Sequence, residues 1–329
     1  MKFFKILFRI LIFILLVFLA VIFWGYPPET KGIVWGVNFS QKHSQYLGLD
    51  WKKNYSALID DLGAKEIKVA AYWDLIESKN GEYDFRDLDW QVKEAENKGV
   101  NLLLVIGQKV PRWPECHLPG WAKGLSKEEQ QKEILQFLEA VVLRYKDSSA
   151  ITMWQVENEP FFPFGECVWV DKEFLKEEVK LVKSLDSEKR PVLISDSGEG
   201  SFWLSAASIG DEVGTTMYRK VWVRWLKTYF TYPFSPAFYW TKAQAIKALF
   251  DKEVMCGELQ AEPWGKELLY SSPIEEQEKT MNLEQFQKNI AFAKRTGLKR
   301  FYLWGSEWWY WMKEKQAKPE IWEEAKTLF

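Results

Sequence analysis

The stretch "AITMWQVENEP", residues 150–160, decides how the chain is read. An apolar and β-branched run reaches Val156 and then stops at Glu157-Asn158-Glu159-Pro160. The run reads as a buried strand, and a buried strand that ends in two carboxylates and an amide needs an explanation, because an unpaired buried charge is costly. Around it the chain alternates. Short apolar strands read at 32–38, 66–73, 100–107, 150–157, 191–196, 211–218, 252–258 and 298–305. Helical patterns stand between them at 51–63, 87–99, 127–146, 171–186, 199–208, 241–250 and 273–297, and a short one closes the chain. Eight strand–helix units in a chain of 329 residues predict parallel strands, right-handed crossovers and a (β/α)8 barrel. An open doubly wound sheet is the alternative, but no glycine-rich phosphate loop follows the first strand. In such barrels chemistry sits at the C-terminal ends of the strands, which is where residues 157–159 fall.

Composition narrows the class. The formal net charge of −2 argues against a nucleic-acid surface. The 19 Trp, 13 Tyr and 22 Phe exceed what a core needs, since each buried indole N–H wants a partner. Flat apolar faces with polar edges suit sugar rings. No CxxC occurs, and His43 and His117 are the only histidines, so neither a metal nor an organic cofactor is expected.

The first 25 residues form a separate unit. Lys2, Lys5 and Arg9 precede the uncharged run "ILIFILLVFLAVIFW", residues 10–24. With its mixed start the segment approaches the ~20 residues that span a bilayer. Val21, Ile22, Phe23 and Trp24 are too bulky for an ordinary cleavage site, which favours an uncleaved signal anchor with 26–329 as an extracytoplasmic catalytic domain. Secretion after cleavage is the alternative. Of the three cysteines, Cys116 and Cys167 lie in loops after neighbouring strands, and a disulfide between them is expected in an oxidising compartment. Cys256 reads as a buried thiol.

A second acidic strand end appears in "VMCGELQAEPWG", with Glu258 ending the seventh strand and Glu262 four residues on. The fourth and seventh strands face each other across an eight-stranded mouth. Two carboxylates on one substrate are what glycoside hydrolysis requires: one protonates the leaving oxygen, and the other attacks the anomeric carbon or activates water.

Three stretches together resemble the clan A glycoside hydrolases, the group that holds family 5 cellulases and mannanases and the family 35 and 42 β-galactosidases. "WQVENEP" (154–160) resembles the Asn-Glu-Pro end of their fourth strand. "YWDLIESKNGEYDF" (72–85) is similar to the segment after the second strand of the galactosidase families, with Ser78 where those have Pro. "RFYLWGSEWW" (300–309) resembles their eighth strand. The resemblance implies Glu159 as general acid/base rather than Glu157, and Glu258 as nucleophile rather than Glu262. It implies Asn158 at the sugar 2-hydroxyl, Tyr218 bonded to the nucleophile and Trp304 as the floor of the sugar site. The clan retains anomeric configuration, so the carboxyl groups are expected ~5–5.5 Å apart. Further candidates for lining the site are Asn38, His43, Trp73, Arg112, Trp113, Trp264 and Glu307, and His117 reads as a loop hydrogen bond. The long aromatic stretch 218–240 reads as a substrate wall, with membrane contact as its alternative. The same residues would serve transglycosylation, and a barrel lacking one carboxylate would only bind carbohydrate.

Overall fold

The computed structural model describes residues 2–167 and 169–329. Its strands are β1 (Val34–Asn38), β2 (Glu66–Ala70), β3 (Asn101–Ile106), β4 (Ile151–Val156), β5 (Val192–Asp196), β6 (Glu212–Met217), β7 (Lys220–Val223), β8 (Thr228–Thr231), β9 (Val254–Gln260) and β10 (Arg300–Trp304). Eight of them close into a parallel barrel in the order β1-β10-β9-β6-β5-β4-β3-β2. The remaining two, β7 and β8, form an antiparallel hairpin outside it.

The helices are α1 (Lys2–Trp24), α2 (Gln41–Tyr46), α3 (Trp51–Asp60), α4 (Trp73–Ile76), α5 (Arg86–Lys98), α6 (Lys127–Tyr145), α7 (Lys172–Leu185), α8 (Leu204–Ile209), α9 (Pro236–Phe250), α10 (Ile274–Gln277), α11 (Leu283–Ala293), α12 (Ser306–Gln316) and α13 (Glu320–Lys326). Their ends follow local chemistry. Ser126 and Glu129 make a capping box at the start of α6, and Gly99 ends α5 in the left-handed region. One expected helix, 273–297, is two. The chain breaks after α10, and the Asn282 side chain restarts it by accepting from Gln285 N at 2.9 Å. The stretch expected as a long loop after β6 folds into the hairpin and the first turns of α9.

Strand alternation separates two apolar layers. Leu102, Leu104, Ile106, Trp154 and Val156 face the helices, whereas Leu103, Val105, Met153, Leu193 and Met255 fill the barrel. The parity of Ala70 and Tyr72, which also lie inside, puts Lys68 within the barrel. On β9 one extra residue opposes both neighbours: Thr215 and Thr216 of β6 pair with Cys256 and Glu258, and Phe301 and Leu303 of β10 with Cys256 and Leu259. This bulge at Gly257 reverses the alternation, so that Glu258 and Met255 share the inner face.

At the N-terminus, Phe4–Trp24 is long and apolar enough to cross a membrane, and most of it packs on nothing. Only its last turn meets the barrel, at α9.

Candidate active site

The mouth is built where β4 stops. Beyond Val156 the backbone enters the left-handed region at Glu157 (φ 57°) and again at Glu159 (φ 43°). Such conformations are costly for residues with a Cβ and cluster at functional sites. The two turns send the glutamates in different directions. Glu157 folds back onto the loop after β3, where its oxygens accept from Gln108 N at 2.9 Å and Lys109 N at 2.6 Å. It holds that loop, and the helix side chain Glu178 faces it; burial pushes Glu157 up to about 7. Glu159 instead lies in the barrel mouth. Its N–H donates to Ser195 Oγ at 2.8 Å, and its Oε1 accepts from Thr216 at 3.1 Å. Burial, and after it the negative charges of Glu258 and Glu115, hold this carboxyl well above the usual range.

Glu258 sits at 3 % exposure with a donor on each oxygen: Lys68 Nζ at 3.3 Å on Oε1 and Tyr218 OH at 2.9 Å on Oε2. Tyr218 is itself placed by Glu199, which accepts from its N–H at 2.8 Å and from Tyr239 OH at 2.5 Å. Its ring stands edge-on to Trp264 with centroids 4.9 Å apart. One buried pair of carboxyls therefore has unlike surroundings. The Glu159 carboxyl accepts from the Thr216 hydroxyl, and burial and its carboxylate neighbours outweigh the Lys109 charge, whereas Glu258 is met by an ammonium and a phenol.

Asn158 lies beside them. Its amide accepts from Gln155 Nε2 at 3.0 Å and donates to Glu115 at 3.2 Å. Glu115 is a third buried carboxyl of the mouth, raised to about 8 by burial and then by the charge of Glu258. Nothing in "PEC" marks it, since the stretch reads as an ordinary loop. Lys68 was missed as well, although a charge within the apolar strand 66–73 is a signal that could have found it.

The loop after β3 crosses the mouth. A disulfide joins Cys116 to Cys167 with Cα atoms 5.2 Å apart and ties this loop to the one after β4. Arg112 reaches from it to Glu262 after β9 and to Glu307 on α12, the latter at 2.8 Å, and lies over the Trp304 ring. His117 accepts from Lys42 Nζ at 2.9 Å and donates to Arg112 O at 3.1 Å; burial lowers it to about 3, so it is neutral and holds the loop. His43 lies 3.7 Å from Glu262, and burial and then the Arg112 charge keep it neutral.

The other expected residues divide. Trp113 (44 % exposed) and Trp264 stand at the rim. Trp73 does not: it is fully buried, donates to Glu77 at 2.7 Å and packs on Trp121 and Phe137, so it is core. Asn38 spends its NH2 on the carbonyls of Gly257, Tyr302 and Leu303, stitching β1 to β9 and β10. Glu307 is also fully buried, between Arg112 and Ser40 N, and lines a small cleft shared with Asn38, Lys68, Arg112 and Trp304. Trp304 is 5 % exposed and capped by Arg112 rather than open.

The sequence and the barrel each have counterparts among known proteins. A family model described as glycosyl hydrolase family 10 matches residues 36–176. A probable mannan endo-1,4-beta-mannosidase A of Aspergillus clavatus is 32% identical over 135 residues, covering 37% of this chain and 35% of that protein. The corresponding protein of Aspergillus flavus is 29% identical over 152 residues, covering 43% and 39%. The chain thus spans well under half the length of these relatives. Among solved structures, GH5_18 from Bifidobacterium longum superposes with a TM-score of 0.60 at 14% identity, over 83% of this chain and 70% of that one. Xylanase 10B from Thermotoga petrophila, in complex with xylobiose, does so at 0.53 and 17% identity, over 83% and 82%. These two share the barrel fold. The chain thus has the barrel fold of these enzymes and is similar, over residues 36–176 and at its Asn-Glu-Pro strand end, to the clan A glycoside hydrolases, with no numbered family assigned.

Proposed function

We propose that the protein is a retaining glycoside hydrolase, with Glu159 as acid/base and Glu258 as nucleophile, held at the outer face of a membrane by α1. The observation that carries this is the contrast between the two carboxyls. Glu159 is buried beside the charge of Glu258 and keeps its proton, whereas Glu258 is met by Lys68 and Tyr218. Two carboxyls in such unlike surroundings are suited to the roles of acid and nucleophile.

In the first step Glu258 attacks the anomeric carbon as Glu159 gives its proton to the departing oxygen. Once Glu258 is esterified its negative charge is gone. One of the causes that raised Glu159 goes with it, so Glu159 is then suited to take a proton from water, and the ester is hydrolysed with overall retention. Asn158, adjacent to the acid and fixed by Gln155 and Glu115, is the residue to bond the sugar 2-hydroxyl. Trp113 and Trp264 form the aromatic rim for the chain beyond the cleaved bond.

The curated relatives are named as mannan endo-1,4-beta-mannosidases, which makes β-1,4-linked mannan the substrate to assay first. Glu159→Gln should lower turnover of a polysaccharide by on the order of 10²–10⁴-fold. Glu258→Gln should abolish it. Wild-type turnover by either variant contradicts the assignment.

The anchor reading rests on the length of α1. Its 23 residues at ~1.5 Å each reach about 35 Å, enough for a hydrocarbon core of about 30 Å.

A further inference from the structure

We propose that the β7–β8 hairpin is a second membrane contact, lying against the bilayer that α1 enters. This rests on the anchor reading above and adds to it a place and an orientation for the barrel.

The helix α1 docks through its last turn alone. Ser235 donates from its N to Ile22 O at 3.0 Å and from its Oγ to Val21 O at 3.0 Å. Phe23 stacks on Phe234 with centroids 6.0 Å apart. Ser235 caps α9, and the N-terminus of a helix that follows a barrel strand lies at the strand's C-terminal end. The anchor therefore meets the barrel on the rim that carries the mouth.

From that point an aromatic row runs into the hairpin. Phe234, Tyr232 and Phe230 are spaced by two, and their rings follow one another at 6.3 and 5.3 Å. Together with Phe23 they make one continuous strip from the anchor helix into β8. The cross-strand pairs set the two faces of the hairpin. Trp222 and Tyr229 share the face opposite Phe230, and Tyr229 there bonds Glu276 of α10. Tyr229 thus ties one face to the barrel, and the other carries the strip, on which Phe230 is exposed and its cross-strand partner Val221 is buried.

The turn at the hairpin's far end reads Arg224-Trp225-Leu226-Lys227. Trp225 is 81 % exposed and Leu226 43 %. A large indole and a leucine held out between two cations are poorly suited to water, and well suited to the interfacial zone, where aromatic rings and basic residues meet headgroups. Trp24 (78 % exposed) and Tyr26 (69 %) mark the same zone where the anchor leaves the bilayer. The occupant is thus the lipid surface. A single helix leaves a barrel free to swing, whereas two separated contacts set its tilt and keep the mouth beside the membrane.

The test uses the full chain in vesicles of phosphatidylcholine and phosphatidylglycerol. An environment-sensitive fluorophore is placed on Leu226→Cys, with Trp225→Cys as a second site should the first fold poorly. Its reference is Asn97→Cys on α5, which follows β2, the strand opposite β6 across the barrel. Lipid carrying a nitroxide at a shallow acyl position should quench most of the hairpin emission and leave the α5 label unchanged. Equal quenching at the two sites, in protein that floats with the vesicles, overturns the proposal and leaves the anchor intact. Failure to float overturns both readings. A hairpin label shielded by soluble mannan but not quenched by lipid overturns the proposal in favour of a substrate wall.

Discussion

The guanidinium of Arg112 lies 3.9 Å from the centre of the Trp304 ring. Glu262, in the loop after β9, and Glu307, on α12, hold it there, and all of these side chains are buried. The aromatic floor that a sugar would stack upon is thus covered by a cation–π contact that bridges the mouth from β3 to β9 and β10. A sugar reaches this face of Trp304 only when Arg112 has moved.

Arg112→Ala uncovers the ring but strands two carboxylates in the interior. Breaking a buried ion pair in this way costs about 3–5 kcal/mol. Chemical denaturation should show that loss, and Arg112→Lys, which keeps the charge without the two-pronged fork, should fall between the variant and wild type. An unchanged midpoint for Arg112→Ala would mean that the ion pairs contribute nothing to holding the loop.

Stability should depend on Glu115 in a defined direction. Its folded value is about 8, above the ~4.3 of an unfolded glutamate. The native state therefore binds the extra proton between these limits. The stabilising contribution is full below ~4.3 and is lost as pH rises toward 8. Glu115→Gln removes the titration, so its melting temperature should gain on that of wild type from pH 5 to pH 8, in a comparison made by scanning calorimetry. A constant difference would show that Glu115 titrates normally. Activity has its own limb: since Glu159 must carry a proton, kcat/KM should fall as pH rises through a value above the ordinary carboxylate range.

The Cys116–Cys167 bond closes a loop with a sequence separation of 51. On the chain-entropy account its loss destabilises by about 4 kcal/mol. Reduction, or Cys116→Ser with Cys167→Ser, should lower the unfolding midpoint accordingly and loosen the two loops that flank Glu159. Titration of the denatured, unreduced protein should find the Cys256 thiol alone.

Tryptophans of the core and of the rim should separate cleanly. Trp73→Ala removes a fully buried indole and should cost about 3–5 kcal/mol in stability. Trp113→Ala, at an exposed rim position, should leave stability nearly unchanged and raise KM for a polysaccharide more than for a short aryl glycoside.

Much of the barrel was legible because its code is local. Apolar runs of strand length alternate with amphipathic helices, and capping residues such as Ser126 and Gly99 mark the ends. The motif around Glu159 was legible for the same reason, as polarity at the end of an apolar strand. What depended on distant contacts was not. Asn38 ends β1 and Glu307 follows β10 in the first turn of α12, yet the Asn38 NH2 is spent on backbone carbonyls and the Glu307 carboxylate on Ser40 N and Arg112. Trp73 belongs to a motif near the mouth but turns its ring toward Phe137. The bulge that turns Glu258 inward is a difference in register between β9 and its neighbours, which no single strand's sequence displays. The break at Asn282 competes with a helical pattern strong enough to hide it.

The roles of Glu159 and Glu258 are tested most directly by trapping the glycosyl-enzyme. A panel of activated 2-deoxy-2-fluoro β-glycosides, with the mannoside first, is incubated with the protein, and the digested peptides are weighed by mass spectrometry. The account predicts one added fluoroglycosyl group, carried by the peptide that contains Glu258 and absent from Glu258→Gln. A label on another residue, or hydrolysis with inversion of the anomeric centre, would contradict it.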